Sequence, residues 1–453
     1  MNKIVFKKDK LSYLIVFCCI LFDWRFFEWD PAHFFIYMLK GIIPFFLLIY
    51  VSVHRGLIIP RLSEHRAYYA LMTIFVFYIL LPSLLASDPV GSIEVWERLV
   101  FVVFYVYAIG ACLIAKIDRV FALSRVFVIL GVATVVQFLL ALVLWDLGLV
   151  VVHMYGPFQN GMMQPFIGSY GLLGAMVSNT TQTGLSFLRL VGYWYEPSKA
   201  AGFLVPCFFF SYGLWLATRC LKWRVAAYLL LLGALLCLSN AGYLALASAL
   251  LFGVVYRKLK GAAKRWDMIV FWVALFLVSL ALLGRLYVYI HPDASQWLRV
   301  ITGVRGSVTD TTVDAASGGR IDLAANNWST FVQHPFGVGL MVSGENESLG
   351  QYNASSTAPV AWLVYTGIIG LNLLLGALWQ VLRLAWRVKL NPVQLAFFQA
   401  WVGSTMQQMV YGTWMTPFYF SVTLMCFAIV CFYQRQISEE ITLSCHCQNN
   451  QNP

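Results

Sequence analysis

The run Arg189-Leu-Val-Gly-Tyr-Trp-Tyr-Glu196-Pro197-Ser198-Lys199 sets two cations and a carboxylate at the start of an apolar stretch. Proline is favoured in the first turn of a helix, so a helix is predicted to begin at Pro197 or Ser198. Its N-terminus carries partial positive charge and N–H groups without helical partners. With Arg189 and Lys199 beside it, that end suits a phosphate-bearing ligand. Glu196 is then a carboxylate beside a positive field, either a base or the ion-pair partner of Arg189. A second set runs from Gly318-Gly319-Arg320 to His334-Pro335-Phe336-Gly337-Val338-Gly339. Arg320, permanently charged and able to hold phosphate with two N–H groups, is the better anion ligand. His334 is either a base or a turn residue bonded to backbone. A straight helix between the two separates them by about 21 Å at 1.5 Å per residue, so they do not share one small group. Arg299, Arg305 and Glu345 lie on the same connection, the two arginines adding to its positive field.

The elements that position these residues are membrane spans. The chain has 453 residues, 60% hydrophobic and only 11% charged, against roughly 25% charged in soluble domains. Its apolar runs approach the roughly 20 residues that cross a bilayer. Spans are predicted at 11–22, 33–53, 68–86, 99–117, 120–145, 199–217, 225–238, 241–256, 268–286, 359–382, 393–411 and 417–432. The fold class is therefore an all-α polytopic integral membrane protein with about twelve transmembrane helices. Five helices fill 1–145, a first large loop fills 146–198, four helices fill 199–286, a second loop fills 287–358, and three helices fill 359–435. A polar tail, 436–453, follows.

Charge orients the bundle. Most of the 31 Lys and Arg residues fall in alternate short connections. They include Lys3 to Lys10, Arg55 to Arg66, Arg219 to Arg224, Arg257 to Arg265 and Arg383 to Lys389. By the positive-inside bias that side is cytoplasmic, with both termini, and the two large loops are on the other side. The net charge of +11 is thus a topology signal, and a nucleic-acid partner is not expected. The second loop holds an amphipathic helix at 318–333, with Ser317 as its cap and Ile321, Ala325, Trp328 and Val332 on one stripe. Pro335 ends it at His334. No cysteine lies in either large loop. Cys445-His446-Cys447 is too short for a four-ligand zinc site, and no metal or other cofactor is expected.

Taken together, these segments resemble the O-antigen polymerase and O-antigen ligase superfamily. The resemblance is carried by RLVGYWYEPSKAAGF, by SGGRIDLAANNWSTFVQHPFGVGL and by AWLVYTGIIGLNLLL, across about 180–382. It implies a metal-independent glycosyltransferase of the GT-C-like kind in the bacterial inner membrane. Such an enzyme acts on polyisoprenyl-diphosphate-linked oligosaccharides at the periplasmic face, with a chain-length regulator as a further partner. Arg189 and Arg320 match the family's arginines, and Glu196 or His334 would serve as base. Lys199, Arg299, Arg305, Tyr193, Trp328 and Glu345 would bind substrate, the aromatic rings by stacking on sugars. Ligases of the family carry a second histidine shortly before the Gly-Ile-Ile-Gly span. Here that stretch reads GQYNASSTAPVAW, without one, which favours a polymerase. The alternatives are a ligase transferring glycan to lipid A-core and a flippase for the same lipid-linked sugar. No repeat relates the two halves as transporters usually show.

Overall fold

The computed structural model describes residues 66–86, 88–97, 117–147, 175–178, 187–190, 197–262, 264–290, 320–340, 358–410 and 418–431, with the single positions 49, 53, 99, 100, 110 and 113. The spans predicted at 11–22 and 33–53, most of that at 99–117, and the tail lie outside the described residues. In chain order the helices are α1 (Arg66–Leu84), α2 (Ile117–Asp146), α3 (Pro197–Thr218), α4 (Leu221–Leu236), α5 (Asn240–Leu259) and α6 (Trp266–Ile290). They continue with α7 (Arg320–Gln333), α8 (Ala358–Arg387), α9 (Pro392–Val410) and α10 (Phe418–Cys431). Among the described residues the helical frame is interrupted by one antiparallel ribbon, β1 (Ala175–Ser178) with β2 (Phe187–Leu190), in the first large loop.

Five described helices are long and apolar enough to cross a membrane: α1, α2 over Ile117–Leu140, α3, α5 and α8. This is a membrane-embedded helical protein. Helix α3 is the innermost of the five, with 83% of its apolar window buried against 44% to 50% in the others. A helix that is hydrophobic all round belongs inside a bundle. It packs chiefly on α9, α4 and α2, and α9 in turn packs on α5. Aromatic rings fill the junction. Phe418 of α10 lies 5.1 Å from Phe127 of α2 and 5.0 Å from Phe203 of α3. Phe210 of α3 meets Phe397 of α9 at 5.2 Å.

Local sequence accounts for the helix boundaries. The Asn391 side chain accepts from the backbone N–H groups of Val393 and Gln394, while Gln394 returns a bond to the Asn391 N–H. That reciprocal cap, with Pro392 in the first turn, starts α9. Ser239, extended at φ −119°, caps α5 by accepting from Gly242 N–H. It separates the short helices α4 and α5 where the Ser-Asn-Ala-Gly run predicts a break.

Helix α8 departs from regular geometry at Gly367, whose φ of 64° and ψ of −170° break the helix in two. The gap is filled from the second loop. Val338 N–H donates to Val364 O at 3.0 Å, Gly339 N–H to Tyr365 O at 3.0 Å, and Ile368 N–H to Pro335 O at 3.0 Å. The turn after α7 therefore takes over the backbone groups that the break releases, as buried polar groups require.

Candidate functional site

The bundle has a basic end and an opposite end. At the basic end Tyr256 O–H donates to Val388 O, and Lys260 Nζ donates to Trp386 O. These bonds join the last turns of α5 and α8 and the connections that follow them, which together hold Arg257, Lys258, Lys260, Arg387 and Lys389. Asp267, at the start of α6, accepts from Arg257 Nε at 2.8 Å and from Lys264 N–H at 2.7 Å. Burial alone would raise its carboxyl, but those two bonds and the charges of Arg257 and Lys264 hold it below the ordinary carboxylate value.

At the opposite end α3 begins at Pro197, within the range predicted, and α5 begins beside it. Ser239 Oγ lies 3.1 Å from Ser198 Oγ, so two helix N-termini meet. Helix α9 arrives from below. Gln407 donates through Nε2 to Ser198 O at 3.0 Å, and Gln408 donates to Gln407 Oε1 at 2.9 Å. Gly202, one turn into α3, leaves room for this amide, since a Cβ there would stand 2.5 Å from Gln407 Cδ. Lys199 is exposed on the same first turn. The ribbon lies over the ends of α2, α3 and α4, and Arg189 is the β2 residue opposite Met176. Leu190, the last residue of β2, is fully buried and anchors the strand to the bundle. The strand bearing Arg189, Lys199 and two positive helix ends thus share one region. Tyr193 and Glu196 lie between β2 and α3, outside the described residues.

The second set stands on α7, which packs on α8, the partner of α1. Arg320 is its first residue and His334 follows its last, so an unbroken helix holds them at opposite ends. His334 makes the turn through its backbone. Its N–H donates to Thr330 O and its carbonyl accepts from Gly337 N–H, while the imidazole is exposed. Trp328 is exposed, against Phe331 at 5.4 Å between ring centroids. Arg299, Arg305 and Glu345 lie outside the described residues.

Sequence spacing alone does not single out Ser198, Ser239, Gln407 or Gln408, because they meet only through packing of α3, α5 and α9. Asn327 is a further such residue. It is 1% exposed, and neither its side-chain nitrogen nor its oxygen has a hydrogen-bond partner. Leaving a buried amide unbonded costs about 1–3 kcal/mol, which marks it as a group that a ligand or water would satisfy. Among the described residues no group of acidic, His and Cys side chains is arranged to hold a metal ion. Compared with known proteins, the chain matches no family model and no curated protein.

Proposed function

We propose that this protein is a membrane glycosyltransferase that polymerises lipid-linked oligosaccharide units at the outer face of the bacterial inner membrane. Its donor is a sugar chain on a polyisoprenyl diphosphate, and its frame is a GT-C-like bundle of about twelve spans. The observation that carries the reading is the meeting of the α3 and α5 N-termini through Ser198 and Ser239, with Lys199 on the first turn. Two positive helix ends and a cation at the non-basic end of a membrane bundle suit a diphosphate whose lipid tail stays in the bilayer.

The chemistry follows from charge. The anomeric C–O bond to the diphosphate breaks with its electron pair going to the phosphate oxygen, and the acceptor hydroxyl oxygen forms the new glycosidic bond. Arg189, Lys199 and Arg320 offset the charge that grows on the diphosphate, and Glu196 or His334 takes the hydroxyl proton. Arg299 and Arg305 extend the positive field, while Tyr193 and Glu345 contact sugar or its surroundings. Absence of a histidine in 350–362 favours an acceptor that is another lipid-linked chain over lipid A-core.

A gel of surface glycolipids from a strain lacking the gene tests the reading. A ladder reduced to core plus one repeat unit supports a polymerase. Long glycan left on its lipid carrier would point to a ligase, and absence of any outward-facing unit to a flippase. Normally expressed Arg189→Ala and Arg320→Ala variants are each expected to lose about 100-fold or more in polymer formation, the loss seen when an electrostatic stabiliser of a developing charge is removed. Full-length glycan from both would rule out the diphosphate clamp.

A further inference from the structure

Helix α7 presents three separate faces. Asn327 and Thr330 are buried toward the protein, with Phe331 half-buried beside them. Trp328 and Val332, one turn apart, are 58% and 62% exposed. Ser329 and Gln333 are also exposed, on the remaining third of the circumference. At 100° per residue these directions lie about 120° apart. The exposed perimeter therefore divides sharply into an apolar half and a polar half.

The apolar half continues downward. Phe336, in the turn after α7, is 66% exposed, and its carbonyl accepts from Tyr78 O–H at 3.2 Å. Tyr78 lies six residues before the outer end of α1 at Leu84, about 9 Å along the helix. Gly367, which receives the same turn, lies nine residues below the start of α8, about 13 Å. The turn thus reaches a depth at which both helices are still within their apolar spans. Its backbone suits that depth, because the Pro335 and Phe336 carbonyls and the Gly337, Val338 and Gly339 N–H groups are all bonded. Next to it on α1, Phe77, Leu81 and Leu85 form an exposed apolar stripe of their own.

We infer that α7 lies in the plane of the outer leaflet, with Trp328, Val332 and Phe336 inserted among phospholipid acyl chains and Ser329 and Gln333 at the water boundary. A helix with one apolar and one polar exposed face is what an in-plane interfacial element requires. A tryptophan on the inserted face matches the aromatic preference of the bilayer interface. The occupant is the bilayer because the stripe is continuous with the α1 surface, which no described helix covers. The assignment is independent of the glycosyl-transfer reading and stands if that reading fails.

The test uses the full chain in phospholipid nanodiscs, with the photo-crosslinking residue p-benzoylphenylalanine introduced singly at 328, 332, 336, 329 and 333, and at 77 as a lipid-facing reference. Each variant is first checked for a monodisperse elution profile and a wild-type unfolding temperature. After irradiation, intact-mass measurement is expected to show phospholipid adducts at 328, 332, 336 and 77, and loss of that adduct at 329 and 333. Three outcomes would overturn the inference. The first is lipid adducts at 77 with none at 328 and 332. The second is adducts of twice the chain mass at 328 or 332, which would assign the stripe to a second copy. The third is adducts with the mass of a co-purified polyisoprenyl carrier, which would assign it to the donor's tail.

Discussion

Gly367 sits where two segments distant in sequence require the same space. Its φ of 64° is in the left-handed region, and a Cβ there would press on the Pro335 carbonyl and the Phe336 backbone. Gly337 faces it with φ 97° and would bring a Cβ within 2.6 Å of Tyr365 O. Neither neighbour is a side-chain end that could swing away, so Gly367→Ala carries both backbone strain and a clash. Strain alone costs about 1–3 kcal/mol. The variant is expected to unfold at a lower temperature and to lose polymer formation as His334 shifts. Gly376→Ala in the same helix is the control. Among the described residues its Cβ meets only Leu71, at 3.5 Å, so it should be neutral or slightly stabilising, as Ala for Gly in a helix is. Equal melting temperatures for the two variants would show that the turn is not fastened to the break. Asn327 makes the opposite kind of prediction. Its unbonded amide costs stability in the absence of ligand, so Asn327→Leu should raise stability by about 1 kcal/mol while reducing polymer formation. If activity is unchanged, Asn327 does not meet substrate.

Helices α5 and α6 are tied at the basic end by a short ionic link rather than by core packing alone. Asp267 is 10% exposed and Arg257 24%, and the carboxylate also accepts the Lys264 N–H across the turn. Replacing it by Asn keeps the shape but removes the charge, at about 1.5–3 kcal/mol for bonds to an ionised group. The sign with pH follows from the direction of the shift. The folded state holds this carboxyl below its ordinary value of 3.8, so folding favours the ionised form. Its stabilisation is complete above that ordinary value and is lost as pH falls through the lower, folded value. The difference in melting temperature between wild type and Asp267→Asn should be constant from neutral pH to about 4 and shrink below it. A difference that instead vanished between pH 6 and 8 would assign the effect to another group. Element boundaries such as these were legible in the residues. Pro197 starts a helix by chemistry local to it, and His334-Pro335 ends one the same way. The break in α8 was not, because nothing between Ala358 and Arg387 requires it. Gly367 adopts its conformation only because the turn at 335–339 supplies the missing partners. The ribbon was equally hidden, since neither Ala-Met-Val-Ser nor Phe-Leu-Arg-Leu alternates apolar with polar residues.

Across the whole molecule the separation of charge gives the clearest constraint. The helix ends that meet through Tyr256 and Lys260 are the basic ones, while the end that brings Ser198, Ser239 and Gln407 together carries Lys199, with Arg189 on the adjoining strand. This asymmetry was readable because Lys and Arg counts in short connections need no tertiary information. Which residues converge at the opposite end was not, because Gln407 reaches Ser198 across more than two hundred positions of chain. The orientation itself is testable with a native thiol. Cys220 is exposed in the basic α3–α4 connection, whereas Cys207, Cys237, Cys426 and Cys431 are buried. If the basic end faces the cytoplasm, a membrane-impermeant maleimide should label Cys220 in inverted vesicles and leave it unmodified in right-side-out ones. The substitution Cys220→Ser identifies that signal. A thiol placed at exposed Gln333 should show the reverse, because α7 belongs to the other end. Labelling of both positions from one side would break the alternation on which the two outer loops, and with them the whole candidate site, depend. Opposite labelling puts Lys199, the strand bearing Arg189, and α7 in the compartment where a diphosphate-linked sugar chain, once flipped, is exposed.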